Sequence, residues 1–218
     1  MKLLIFSDTH LTEKEEPNKL KLLQKIINWA DEIIINGDFW DGYKTEFNKF
    51  YTSGWKVLFP QLQKKAYYNW GNHDHKLLAD SKITTICKEF NQSTTIQSGE
   101  ITIKTEHGNR LIPLFDEKNN YDPLNIRHKK TLNLLQLLID TVFNINIDIF
   151  KNTYFRYKTL ELKKKIQPKK NFLYAFGHTH FPMLDLKNSF ANSGFIHYGF
   201  ASFITAEDGK IKLQQTRY

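Results

Sequence analysis

Three short apolar runs, Lys2 to Phe6, Glu32 to Asn36 and Ala66 to Trp70, alternate with stretches of helical periodicity, and that alternation limits the fold more than any other feature. Runs of this length, rich in branched and aromatic residues, are what buried strands require. Between the first two, Pro17 opens a helical pattern through Trp29, with Leu20, Leu23, Ile26 and Ile27 at helical spacing. Glu46 to Leu58 reads as the helix between the second and third. Strand, helix, strand, helix, strand in this order implies parallel pairing through crossovers. The expected class is α/β.

A further helix is predicted over Leu78 to Phe90, after which Ile101 and Ile103 alternate with polar residues as in a half-exposed strand. Helices are expected at Lys129 to Phe143 and Ile147 to Lys165, then short strands at Phe172 to Phe176, Met183 to Leu186, Ile196 to Phe200 and Ile211 to Leu213. The segment 115–170 holds 12 basic and 6 acidic residues, so it carries +6 of the formal +8. The layout is one domain, 1–218, interrupted by a basic helical insertion at 115–170. Excess positive charge favours anionic partners, although abundant Lys, Asn and Ile read equally as compositional bias. A single cysteine, Cys87, excludes an intrachain disulfide and is expected as a small core hydrophobe in a helix. The N-terminal apolar run is too short for a signal peptide, and no stretch approaches the ~20 apolar residues of a membrane span. The expected location is cytoplasmic.

Five clusters of metal-ligand type follow predicted strands. Asp8 and His10, two apart on leaving a strand, can reach one point. Gly37-Asp38-Phe39-Trp40-Asp41 puts Asp38 at a strand's carboxyl end, where ligands bind in open α/β sheets. There Asp41 either orients a histidine or is a solvated acid. Gly71-Asn72-His73-Asp74 adds an amide oxygen and an imidazole, with His75 beyond them expected at the surface. Glu106-His107-Gly108-Asn109 and Gly177-His178-Thr179-His180 complete the set. Each has a bland explanation singly; five together do not. Carboxylate, imidazole and amide oxygen without thiolate suit borderline-to-hard divalent ions and exclude a multi-cysteine zinc site.

These clusters, in this order, resemble the signature of the calcineurin-like metallophosphoesterases: D-x-H, G-D-x-x-D, G-N-H-[DE], a separate His, and G-H-x-H. The resemblance implies a four-layer sandwich of two mixed sheets flanked by helices. It implies two divalent ions, Mn2+ foremost with Fe2+ or Zn2+ as alternatives, one held by Asp8, His10, Asp38 and His180. The other would be held by Asp38, Asn72, His107 and His178, with Asp38 as the bridge. Water between two such ions is acidified towards ~7 and attacks phosphorus in line. His73 is implied as the catalytic residue that stabilises the transition state or protonates the leaving oxygen. Asp41 or Asp74 would orient it, Asp41 being favoured because it closes the second motif.

In size and in carrying a helical insertion, the layout is similar to the UDP-2,3-diacylglucosamine hydrolases, whose insertion holds acyl chains. Leu132, Leu134, Leu135, Leu137, Leu138 and Ile139 give such a surface, or else an ordinary helical hairpin. Those enzymes typically carry Arg where this chain has His73, which points to another phosphodiester or nucleotide-sugar substrate. The implied partner is a phosphorylated small molecule or a lipid-linked substrate, with peripheral membrane contact. A nuclease is the alternative, its nucleic acid tracked by Tyr43, Phe47, Tyr51 and Trp55. A non-catalytic scaffold on the same fold is the third reading, disfavoured by the intact His73 and ligand set.

Overall fold

The computed structural model describes residues 1–112 and 151–218. The expected helix at Lys129 to Phe143, the leucine-rich surface it carries and most of the insertion lie outside the described residues.

The first half builds one sheet. Strand β1 (Lys2–Phe6) leads to helix α1 (Pro17–Trp29), β2 (Glu32–Asn36), α2 (Phe47–Thr52), a 3-10 turn, α3 (Phe59–Lys65), β3 (Ala66–Asn69) and β4 (Glu89–Asn91). β1, β2, β3 and β4 pair in parallel in that order. The chain then crosses to β5 (Ser93–Ser98) and β6 (Ile101–Glu106), resumes at α4 (Arg156–Lys164), and adds β7 (Phe172–Phe176), β8 (Met183–Asp185) and β9 (Phe190–Asn192). These five strands form a second sheet in the order β5-β6-β7-β9-β8. The chain returns through β10 (Ile196–His197), β11 (Phe200–Glu207) and β12 (Lys210–Arg217), with β11 antiparallel to β1. Both sheets are therefore mixed.

Alternation along the strands explains the layers. In β1, Leu3 and Ile5 join Ile103, Leu173, Ala175 and Ile204 in the core between the sheets. Leu4 and Phe6 face the other way, onto Leu23, Ile26, Ile27 and Leu62 of the helices. Outside the second sheet, Leu162 of α4 packs on Phe176 and Phe190. The order is helices, sheet, sheet, helix, as expected.

Several boundaries differ from expectation. Glu46 to Leu58 is not one helix, because Ser53-Gly54 breaks it and the chain restarts as a 3-10 turn at Gly54–Leu58. Leu78 to Phe90 is not a helix either. Asp80 caps a 3-10 turn, Ser81–Thr85, whose β-branched Ile83, Thr84 and Thr85 resist helix, and the segment ends in β4. Cys87 is buried as expected but lies between the turn and β4. The run Ile196 to Phe200 splits at Tyr198-Gly199, both at positive φ, into the hairpin β10–β11. Expected helix Ile147 to Lys165 is described from a π turn at Lys151–Phe155 through α4. Tyr43, Phe47 and Trp55 are no strand-tracking surface: they are 6%, 5% and 0% exposed. No helix among the described residues is long and apolar enough to cross a membrane.

Candidate metal centre

The loops after β1, β2, β3, β6 and β7 meet at one edge of the sandwich, and all ten residues singled out from the sequence gather there. Their backbone is unusual. Asp8, His10, Asp38, His178 and His180 all have φ between 46° and 64°, a left-handed conformation that non-glycine residues adopt at a cost. The strain persists because backbone bonds fix the loops to each other. Asp8 N donates to Gly37 O at 3.0 Å, and His10 N to Asp38 O at 3.0 Å. Gly37, at φ +90°, lies so close to His107 that a Cβ would sit 2.3 Å from its Nδ1. Gly71 is as tightly placed, with a Cβ position 2.2 Å from Asp38 Oδ1.

Three sets of donor atoms each fall within 4.8 Å: Asp8, His10 and His180; His10, Asp38 and His73; and Asp38, His107 and His178. Asn72 Oδ1 lies 3.2 Å from His107 Nε2, extending the third set. Asp38 joins two sets, with Oδ2 3.1 Å from His107 Nε2.

These donors fit divalent cations. Asp8 Oδ1 and His10 Nε2 are buried without a hydrogen-bond partner among the described residues. Asp8 Oδ1 sits 3.0 Å from His180 Nε2 without hydrogen-bond alignment, as two atoms aimed at a shared point do. The ring nitrogens facing away are fixed. His107 Nδ1 donates to the Asn36 carbonyl at 2.8 Å and His178 Nε2 to the Ile112 carbonyl at 2.8 Å. Each bond turns the other nitrogen towards the centre, where that of His178 offers a lone pair and that of His107 does so once its second proton leaves. Burial first, and neighbouring imidazoles next, hold His10 and His178 well below the usual histidine range, in the neutral form that binds metal. Burial would raise Asp38, but the imidazoles of His107 and His73 outweigh it and keep the carboxylate ionised. In return Asp38 and Asp8 overcome the effect of burial on His107 and raise it to about 10.

His73 stands apart. Asp41 Oδ1 accepts from its Nδ1 at 3.0 Å, and Tyr43 lies against its ring with centroids 4.1 Å apart. Asp41 is 1% exposed, so it is not a solvated loop acid. Burial pushes Asp41 upward, yet the adjacent His73 leaves it below the ordinary carboxylate range. Asp74, the other candidate to orient His73, does not do so. Its Oδ1 accepts from Gly71 N at 2.6 Å, and its Oδ2 from Phe39 N at 2.7 Å and from the Tyr68 hydroxyl. Asp74 pins two loops together, and burial together with nearby Asp38 raises it to about 6. His75, expected at the surface, is half-buried in a cavity beside His107.

The supporting residues were not singled out from the sequence. Asn36 and Asn69 end β2 and β3, and Asn69 Nδ2 donates to Asn36 Oδ1 at 2.9 Å. Asn36 Nδ2 reaches the Glu106 carbonyl at 3.0 Å and Asn69 Nδ2 the Thr105 hydroxyl at 2.8 Å, bonding the first sheet to the second. The available signal was a polar residue closing each apolar run. Lys19 is fully buried on the apolar face of α1 and donates to the Thr9 carbonyl at 3.0 Å and to Glu16 at 2.7 Å. Its signal was a lysine four residues before Leu23 on the buried stripe.

A family model described as calcineurin-like phosphoesterase matches residues 1–182. No curated protein matches the sequence significantly. Among solved structures, Yfce, a phosphoesterase from E. coli, aligns at TM-score 0.48 and 16% identity, over 100% of this chain and 99% of its own. A predicted phosphoesterase from Streptococcus pneumoniae TIGR4 aligns at 0.45 and 14%, over 99% and 88%. Vps29 from Entamoeba histolytica aligns at 0.45 and 15%, over 100% and 99%. Likenesses this distant carry no argument about activity.

Proposed function

Since the chain belongs to the calcineurin-like phosphoesterase family, we propose that it hydrolyses a phosphodiester or pyrophosphate bond with two divalent metal ions. The observation that carries this reading is the place of Asp38 in two donor sets, with His10 and His73 in one and His107 and His178 in the other, while His10 also joins Asp8 and His180 and Asn72 lies beside His107. A carboxylate between two dications reduces their repulsion and is itself held ionised. When bound, such a pair supplies Lewis-acid polarisation of phosphoryl oxygens and an acidified water at neutral pH. Mn2+ is the first expectation, Fe2+ or Zn2+ fitting the same nitrogen and oxygen donors.

The chain's own residues do the rest. Asp41 keeps the Nδ1 proton on His73 and sets its ring plane, so proton transfer to the leaving oxygen falls to Nε2. Tyr43 buttresses that ring. Asp74 holds the Gly71 and Phe39 amides, and thereby the two loops that carry Asn72 and Asp38.

The test is hydrolysis of bis-p-nitrophenyl phosphate, p-nitrophenyl phosphate, a UDP-sugar, a UDP-diacylated sugar and single-stranded DNA. Diester turnover that a chelator abolishes and manganese restores is the expected result. Preference for the acylated sugar would assign acyl binding to the insertion, and preference for DNA would favour a nuclease. Protein that binds two metals and turns over no member of the panel overturns the reading.

A further inference from the structure

A cavity of about 320 Å³ abuts the His107 side of the centre, lined by Trp70, His75, Lys76, Gln92, Asn109 and Arg110 beside His107 itself. Its size falls at the small end of the ~300–1,000 Å³ typical of ligand pockets. Its chemistry is specific. Trp70 is half-buried, packs on Phe90 with centroids 5.6 Å apart, and has the Lys76 ammonium over its ring at 5.6 Å. The side chains of Gln92, Asn109 and Arg110 make no hydrogen bond or ion pair among the described residues. His75 Nδ1 accepts from Leu77 N at 3.3 Å, so its Nε2 carries the proton as a donor.

We propose that this cavity is a nucleotide subsite, in which a base lies on Trp70 with the Gln92 and Asn109 amides at its edge and a phosphate is drawn towards Lys76, Arg110 and the centre. The inference rests on the phosphoesterase reading of that centre, which supplies the reason for a phosphate to sit beside His107. A planar heterocycle is favoured over other phosphate carriers for two reasons. The wall combines an indole with two carboxamides, each a donor and an acceptor, which is the complement of a base's face and edge. The two exposed cations outnumber Glu106, the one acid of the lining, which suits an anion.

Calorimetric titration with AMP, UMP, ribose 5-phosphate and inorganic phosphate reads the subsite without turnover. Either nucleotide is expected to bind about ten-fold more tightly than ribose 5-phosphate, the scale of one base–aromatic stack. Trp70→Ala should reduce that margin to within about three-fold, as should Gln92→Ala, which removes one edge carboxamide and spares the Phe90 contact. Thymidine 5′-(p-nitrophenyl phosphate) and bis-p-nitrophenyl phosphate release the same phenol, and the ratio of their kcat/KM values should fall likewise. Equal binding of ribose 5-phosphate, or a margin that survives both substitutions, overturns the nucleotide subsite. Tight nucleotide binding without diester cleavage would instead sink the phosphoesterase reading and leave the subsite standing.

Discussion

Gly71→Ala tests whether the centre depends on backbone placement rather than on the list of donors alone. The new Cβ would lie 2.2 Å from Asp38 Oδ1, 2.8 Å from His107 Cδ2 and 2.9 Å from Asp38 N. Ordinary contact begins near 3.4 Å, so the carboxylate or the loop must move by about 1 Å. Neither yields cheaply, because Asp38 Oδ1 accepts from His73 N at 2.9 Å and Gly71 N is held by Asp74 at 2.6 Å. Overpacking of this kind costs about 1–3 kcal/mol, or roughly 2–12 °C in Tm for a chain of this size. A shift of ~1 Å at reacting groups costs on the order of 100-fold in rate, about 2.7 kcal/mol of transition-state stabilisation. The assay is manganese-dependent diester hydrolysis with Tm and metal content measured on the same preparation. Gly209→Ala, in the β11–β12 turn at φ +78° with no neighbour nearer than 3.5 Å, carries a backbone penalty but should leave kcat alone. A folded Gly71→Ala protein with wild-type kcat/KM would refute the reasoning.

His73→Ala should retain both metals by elemental analysis and lose about 100-fold or more in kcat; loss of one metal would make His73 a ligand, as its place in a donor set permits. Asp38→Asn should lower the affinity of both ions and nearly abolish turnover, and retention of two tight metals would end the bridging assignment. In the metal-free protein His107 holds its proton up to about 10. Its pairing with Asp38 thus stabilises the fold fully below the unfolded value of ~6.5 and fades as pH rises through about 10. Metal must displace that proton, so affinity should rise with pH, and calorimetry in buffers of different ionisation enthalpy should detect proton release. Burial first, then Glu89, pushes the Cys87 thiol up to about 12. Native protein should therefore react negligibly with a thiol reagent at pH 8 and yield one equivalent once unfolded.

The first sheet was legible because β1, β2 and β3 are buried on both faces and so read as continuous apolar runs. β5, Ser-Thr-Thr-Ile-Gln-Ser, was not, because as an outer strand it buries only alternate residues. β4 and β9 are three residues long and give no period to detect. The candidate donors were legible because chemistry limits them to a few residue types, repeated after strands. Their left-handed backbone was not, since nothing in Asp8 or His178 marks φ beforehand; neighbouring loops impose it. Lys19 reads as an ordinary charge until the fold brings the Thr9 carbonyl to its ammonium. Trp70 reads as the last residue of a strand, and only the approach of the β6 loop turns it into the wall of a cavity.

The amide bridge between Asn36, Asn69 and the second sheet has a mechanical meaning. Asp8, Asp38 and Asn72 leave one sheet, whereas His107, His178 and His180 leave the other. The gap between the donor groups is thus the gap between two leaves that share a hinge of carboxamides directly below. Ions bound at that edge would act as a clasp on the leaves, so their binding free energy is also resistance to the leaves parting. A change in the hinge far from phosphate, such as Asn69→Ala, should be felt first as a loosened grip on metal and only afterwards as lost catalysis.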